Sequence, residues 1–371
     1  MHQKVILVTG ATGFLGSSVV LHLLQNESDV RLLLLVRADS RHDGLARIQS
    51  SLRKLDADEG LLDRVGADDI LCGTLADVAG FSADSRLDEV THVINCAAIA
   101  SFGNNPQIWP INVDGTFEFA RRMVESPRLR RFVHVGTAMA CGADAESPVR
   151  ESWQLAADES HLVEYTASKA AIEHRLRNEL PDLPLVVARP SIVVGHTQLG
   201  CKPSGSIFWV FRMAHRLGCF TCDLEERIDV IPVDYCADAL IHLALKPELE
   251  HDLYHISAGP ANSCRFGDID VALADALNIE PIAKHYRKLS EHELREIVPE
   301  FQNALGPCNR RLVLRALRLY GGFAELNFVF DNSRLLRESM QPAPKLTDYI
   351  AVCALTSAAI PIAEQMVWDF K

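Results

Sequence analysis

The segment Lys4-Val5-Ile6-Leu7-Val8-Thr9-Gly10-Ala11-Thr12-Gly13-Phe14-Leu15-Gly16 constrains this chain more than any other. A run of apolar β-formers stops at three glycines, and Ser17 to Leu24 then resumes at helical spacing. Strand, glycine turn and helix in that order form a cradle for a phosphate. Glycine lets the backbone turn tightly and lets a pyrophosphate approach it, and the helix start offers free N–H groups and the positive end of its dipole. The spacing is Gly-x-x-Gly-x-x-Gly, not the commoner Gly-x-Gly-x-x-Gly, so the flanking strand and helix carry the reading.

The chain of 371 residues can bury one large core with a smaller appended lobe. A net charge of -12 argues against a nucleic-acid partner, because binding a phosphate backbone needs a basic face. Ten scattered cysteines suit a reducing, cytoplasmic compartment, and Cys219-Phe220-Thr221-Cys222 reads as two loop cysteines, with no metal site expected. The first strand begins at once, leaving no room for a signal peptide. Tyr349 to Ala363 is apolar but too short to span a bilayer. It reads as a packed terminal helix, with peripheral membrane contact as the minor alternative.

A second buried strand, Val30 to Val36, ends at Arg37-Ala38-Asp39-Ser40-Arg41. The residue ending this strand in a dinucleotide fold faces the adenosine ribose, where arginine suits a 2′-phosphate. Arg37 therefore points to NADP(H), and Arg47 on the next helix is a second candidate clamp. Strands are expected at Asp69–Cys72, Thr91–Ala98 and Arg131–Thr137, with a helix opening at Asn112 and running to about Glu125. Strands and helices alternating at this length imply an α/β fold with a doubly wound parallel sheet, the Rossmann arrangement.

Tyr165 and Lys169 lie four apart on an expected helix from Leu162 to Asn178, and so share one face. A phenol titrates near 10, and an ammonium one turn away is expected to favour the phenolate. Thr137, at the end of the fifth strand, can place a hydroxyl beside the same reacting oxygen. These three are the candidate catalytic residues.

With these motifs in place, the chain resembles the extended short-chain dehydrogenase/reductase superfamily over about its first 260 residues. Thr9 to Gly16 resembles its cofactor loop, Asn112-Val113-Asp114-Gly115-Thr116 its helix-four signature, and Tyr165 with Lys169 its active-site pair. Within it the chain is most similar to fatty acyl-CoA reductases and thioester reductase domains. The carrying runs are Leu35-Val36-Arg37-Ala38, Ala46-Arg47-Ile48, Ala188 to Gly195, Ile228 to Tyr235, Tyr254-His255-Ile256-Ser257 and Phe330-Asp331-Asn332. The resemblance implies an NADP(H) site at Gly10, Thr12, Gly13, Phe14, Leu15, Gly16, Arg37, Arg47, Leu75, Ala97, Asn112, Tyr165, Lys169, Pro190, Ser191 and Ile192. It also implies a Rossmann domain over 1–260 and a smaller, mainly helical substrate lobe over 261–371, joined by 196–227. One departure is Thr74, where these families usually carry an aspartate for the adenine amine.

The implied reaction is reduction of an acyl thioester by NADPH. Hydride adds to the carbonyl carbon while Tyr165 and Thr137 hold the oxygen, and the hemithioacetal collapses to an aldehyde and a free thiol. A second hydride would give the alcohol. The cluster Ser206 to Phe211 is a candidate acyl groove, and Arg311, Arg315 and Arg318 form a basic helix face for coenzyme A phosphate or an acidic carrier protein. The same Tyr-Lys-hydroxyl set serves alcohol, ketone and nucleotide-sugar enzymes, so those readings stay open. A non-catalytic NADP(H) sensor is disfavoured by the presence of Tyr165 and Lys169.

Overall fold

The computed structural model describes residues 4–103, 105–153 and 161–369. Its principal elements in the first half are β1 (Lys4–Thr9), α1 (Phe14–Asn26), β2 (Val30–Val36), α2 (Arg41–Arg53), β3 (Ile70–Cys72), β4 (His92–Asn95), α3 (Thr116–Val124) and β5 (Arg131–Val135). They continue with α4 (Glu164–Glu179), β6 (Leu185–Pro190), α5 (Phe208–Leu217), α6 (Val233–Leu245), β7 (Leu253–Ile256), α7 (Phe266–Leu277), α8 (Arg310–Glu325), α9 (Leu346–Ser357) and α10 (Ile362–Asp369).

The seven strands form one sheet in the order β3-β2-β1-β4-β5-β6-β7, and every neighbouring pair is parallel. This is the expected doubly wound sheet, whose strand order reverses between β1 and β4. Both faces are covered, which is why β1 and β2 read as unbroken apolar runs. On one face Val19, Val20 and Leu23 of α1 meet Ala237, Leu240 and Leu243 of α6. On the other, Phe117 and Phe119 of α3 join Ile172 and Leu176 of α4.

Several expected boundaries shift, among them that of the fifth strand, which stops at Val135 and leaves Thr137 in the following turn. The fourth strand stops at Asn95, short of the small residues Cys96 to Ala98. The helix expected from Asn112 begins as a wider π turn over Pro110–Gly115 before α3 proper. The apolar terminal stretch divides into α9 and α10 around Pro361, and Tyr349, Ile350, Cys353 and Ala354 pack into a core with α7. Among the described residues no helix is long and apolar enough to cross a membrane.

Helices α5, α7, α8 and α9 build the second lobe, around Trp209, Met213, Phe301 and Leu317 on one side and Phe208, Ile269 and Ile350 on the other. Between α8 and α9 the chain returns to the sheet. Val149 donates to the Val329 carbonyl and Asp331 donates to the Val149 carbonyl, while Leu335 and Ala343 join the core beneath α6. Glu338 receives Lys246 at 2.5 Å and the Tyr254 hydroxyl at 2.5 Å.

Candidate active site

The glycine loop leaves β1 at the switch point of the sheet. Gly10 takes φ +64°, and a Cβ there would lie 2.8 Å from the Ala97 nitrogen. Gly16 packs closer still, since a Cβ would lie 2.2 Å from the Gly10 carbonyl oxygen. Gly13 precedes α1 without any side-chain cap, so the first amides of the helix meet no side chain of their own. These features fit a dinucleotide pyrophosphate. Thr9 braces the strand end by donating to Asn95 Oδ1 at 2.5 Å and accepting from the Ala97 amide at 3.0 Å.

Beside the loop lies a cavity of about 570 Å³. Gly10, Gly13, Phe14, Leu15, Gly16, Thr137, Tyr165, Lys169, Pro190, Ser191 and Ile192 all line it. The three candidate catalytic residues and most of the candidate cofactor residues are thus brought together. The rest stand apart from the cavity wall. Arg37 is exposed at the end of β2, and Arg47 donates to the Arg37 carbonyl, which holds its guanidinium within the loop frame. Thr12 is half-buried and receives Ser51 on its carbonyl. Leu75 is buried in the core on the α3 face, and Thr74 accepts from the Ala76 amide at 3.3 Å. The amide of Ala97 is used by Thr9. Asn112 is spent on positioning: it accepts from the Ile99 amide at 2.7 Å and donates to the Ile99 carbonyl and to Ser168 Oγ, each at 3.1 Å.

Lys169 is buried on α4 and donates to the Val135 carbonyl at 2.7 Å, at the end of β5. Thr137, two residues on, caps the following turn by accepting from the Met139 amide at 3.3 Å. Tyr165 lies half-buried one turn before Lys169, its ring 6.1 Å from that of Phe102. Burial, reinforced by the negative charge of Glu173, pushes the Tyr165 phenol up to about 12. This shift runs opposite to the lowering expected from Lys169, and the phenol is protonated at neutral pH. Burial lowers Lys169 to about 8, against the opposing influence of Glu173 and Cys96.

Residues 8–240, more than half of the chain, match the family model of the male sterility protein, a NAD-binding domain. The chain belongs to the male sterility protein family. Relatives named as reductases bear out the resemblance to fatty acyl-CoA and thioester reductases. "Aldehyde reductase lnaA" of Aspergillus flavus is 27% identical over 264 residues, covering 64% of this chain and 24% of the relative. "Fatty acyl-CoA reductase wat" of Drosophila melanogaster is 26% identical over 284 residues, covering 64% of this chain and 53% of the relative. The chain spans about a quarter of the length of the first curated relatives that it matches. Among solved structures, the terminal R domain of the myxalamid PKS-NRPS pathway superposes with a TM-score of 0.77 at 22% identity, covering 96% of this chain and 91% of that one. A UDP-glucose 4-epimerase from Thermotoga maritima reaches 0.63 at 16% identity, covering 96% and 99%. These two likenesses concern the fold.

In this male sterility family member a buried ion pair anchors α4, the helix that carries the candidate residues Tyr165 and Lys169, and the pairing is not apparent from the sequence alone. Arg189 Nη2 lies 2.7 Å from Glu173 Oε2, with both side chains essentially inaccessible. The pair links α4 to β6, and a Cβ on Gly136 would lie only 2.0 Å from Glu173 Oε1, so glycine is needed for the carboxylate to reach the strand end. The signal was present: an arginine inside the run Leu185 to Pro190 must find a partner, because an unpaired buried charge is costly. Of the expected acyl-groove cluster, Ser206, Ile207, Val210 and Phe211 line the cavity, whereas Phe208 and Trp209 are packed into the lobe core. Phe102, Tyr320 and Phe323 supply the missing aromatics; the Phe102 ring stacks 5.5 Å from Phe323 and lies 5.6 Å from Tyr320. The basic face of α8 is partly spent within the chain, since Arg318 pairs with Glu291 at 3.4 Å.

Proposed function

We propose that this chain is an NADPH-dependent reductase of acyl thioesters, releasing an aldehyde and a free thiol. One observation carries the reading: Thr137, Tyr165 and Lys169 open onto the same cavity as the glycine loop, and the wall beyond them is mostly apolar and aromatic, with few polar side chains, His215 and Asp270 among them. A nucleotide sugar would need many polar partners there, and an acyl chain needs none. The named reductase relatives support the same class.

When bound at the glycine loop, NADPH supplies the hydride that reduces the carbonyl carbon. The phenol of Tyr165 hydrogen-bonds the carbonyl oxygen and gives it a proton as negative charge develops, which requires the protonated phenol that burial maintains. Thr137 donates a second hydrogen bond to that oxygen. Lys169, held on the Val135 carbonyl, keeps a positive charge beneath the phenol. Asn112 ties the 99–112 segment to α4 through Ser168, and Glu173 with Arg189 fixes α4 on the sheet. Residues 1–260 are assigned to the nucleotide half, and 261–371 with 196–227 to the acyl lobe, except that the passage 329–343 packs with the nucleotide half. The α8 face of Arg311, Arg315 and Arg318 is the proposed contact for coenzyme A phosphate or a carrier protein.

The test is NADPH consumption with acyl-CoAs, carrier-bound acyl groups, aldehydes and ketones. Thioester-dependent oxidation is the expected result, and oxidation with ketones alone overturns the reading. Arg37 carries the cofactor preference. Arg37→Asp removes a charge-assisted contact worth about 1.5–3 kcal/mol, so KM for NADPH should rise about tenfold or more while NADH is little affected. An unchanged KM would place the ribose phosphate elsewhere.

A further inference from the structure

Two polar side chains line the same cavity within the acyl lobe, and no residue of the proposed chemistry uses them. His215 is on the last turn of α5 and Asp270 is on α7. Their side chains are 12% and 5% exposed. Asp270 Oδ2 is satisfied, accepting from the Ile282 amide at 2.9 Å and the Ala283 amide at 3.2 Å. Its Oδ1 has no hydrogen-bond partner, and neither does His215 Nε2. The two orphan atoms face each other at 3.6 Å, too far apart to bond directly. Their surroundings are apolar: Phe211, Phe220, Ile269 and Leu273 share the wall.

The pair lies away from the catalytic end. Ser206, which lines the cavity just before Ile207 at the N-cap of α5, donates to the Val193 carbonyl at 2.9 Å, close to Pro190 and Ile192. From Ile207 the helix runs to His215, about 12 Å at a rise of 1.5 Å per residue. An acyl chain entering from Tyr165 and following α5 therefore reaches His215 and Asp270 with its distal part.

We propose that this far end recognises a hydroxyl group carried at or near the distal end of the acyl chain. The proposal rests on the thioester reading. A hydroxyl is both donor and acceptor, so one group can donate to Asp270 Oδ1 and accept from His215 Nε2, satisfying both orphans. A methyl end leaves both unpaired, at the cost that buried polar atoms carry. A carboxylate end is repelled by Asp270, and an ammonium end must shed its water for a single carboxylate in an apolar cavity. Burial lowers His215 below its ordinary value against the opposing influence of Asp270, which keeps the imidazole neutral near pH 7.

The test uses a length series of acyl-CoAs, each in methyl-terminated, ω-hydroxy and ω-amino forms, titrated calorimetrically against the full chain and also assayed for NADPH oxidation. At the length that fits best, the ω-hydroxy form should bind at least about tenfold more tightly than the methyl form. His215→Phe leaves the Asp270 anchor intact, and Asp270→Asn keeps an acceptor for Ile282 and Ala283; each should remove most of that difference. Equal affinities in the wild type, a preference unaffected by both variants, or stronger binding of the ω-amino form overturns the proposal. Binding that discriminates without any thioester-dependent oxidation would refute the thioester reading and leave the hydroxyl site standing. Oxidation of both forms with equal affinity would do the reverse.

Discussion

Replacing Tyr165 with phenylalanine is expected to lower kcat for thioester-dependent NADPH oxidation by about 10²–10⁴-fold, the usual contribution of a positioned proton donor. KM should change little, because the ring that faces Phe102 at 6.1 Å remains. The variant removes only the hydroxyl, which burial and Glu173 hold protonated by pushing it up to about 12. Stability should be essentially preserved, so unfolding cannot explain the loss. A variant that retains more than about a tenth of wild-type kcat would show that the proton comes from another group.

The second large effect is expected at Glu173. Glu173→Gln takes the charge from a pair in which Arg189 is fully buried, and breaking such a pair costs about 3–5 kcal/mol. Thermal unfolding should fall by several degrees, and the activity profile should change as well. Lys169 titrates at about 8, so its ammonium is lost and kcat/KM falls as pH rises through that value. Glu173 raises Lys169; removing its charge lowers the lysine further and moves the alkaline limb to lower pH. A double change, Glu173→Leu with Arg189→Leu, separates the two effects. It replaces the pair with apolar groups and should recover much of the melting temperature while the limb stays displaced. A limb that returns with stability would make the pair a structural clamp only.

The parts of the site written in local pattern were legible before the structure. Gly10, Gly13 and Gly16 announce their turn because β1 and α1 flank them, and Tyr165 and Lys169 share a face through helical spacing alone. The strands Leu185–Pro190 and Leu253–Ile256 are not legible as strands, since each is short and carries polar residues whose partners lie far along the chain. His255, for example, meets Glu151 and Asp331. Distance in sequence also hid Glu173 with Arg189 and His215 with Asp270, which meet only through packing between elements. The direction in which Tyr165 shifts is hidden for a related reason: the spacing to Lys169 can be read from sequence, but the burial of the phenol and its proximity to Glu173 cannot.

The passage from Val329 to Ala343 has one more consequence. It lies between two helices of the acyl lobe, yet Leu335 and Ala343 complete the core of the sheet and Glu338 holds Lys246 and Tyr254. The two halves are therefore interleaved along the chain and do not follow one another like beads. A chain cut at residue 260 would lose part of the sheet's own interior, so neither half can be exchanged as a cassette without carrying this passage with it.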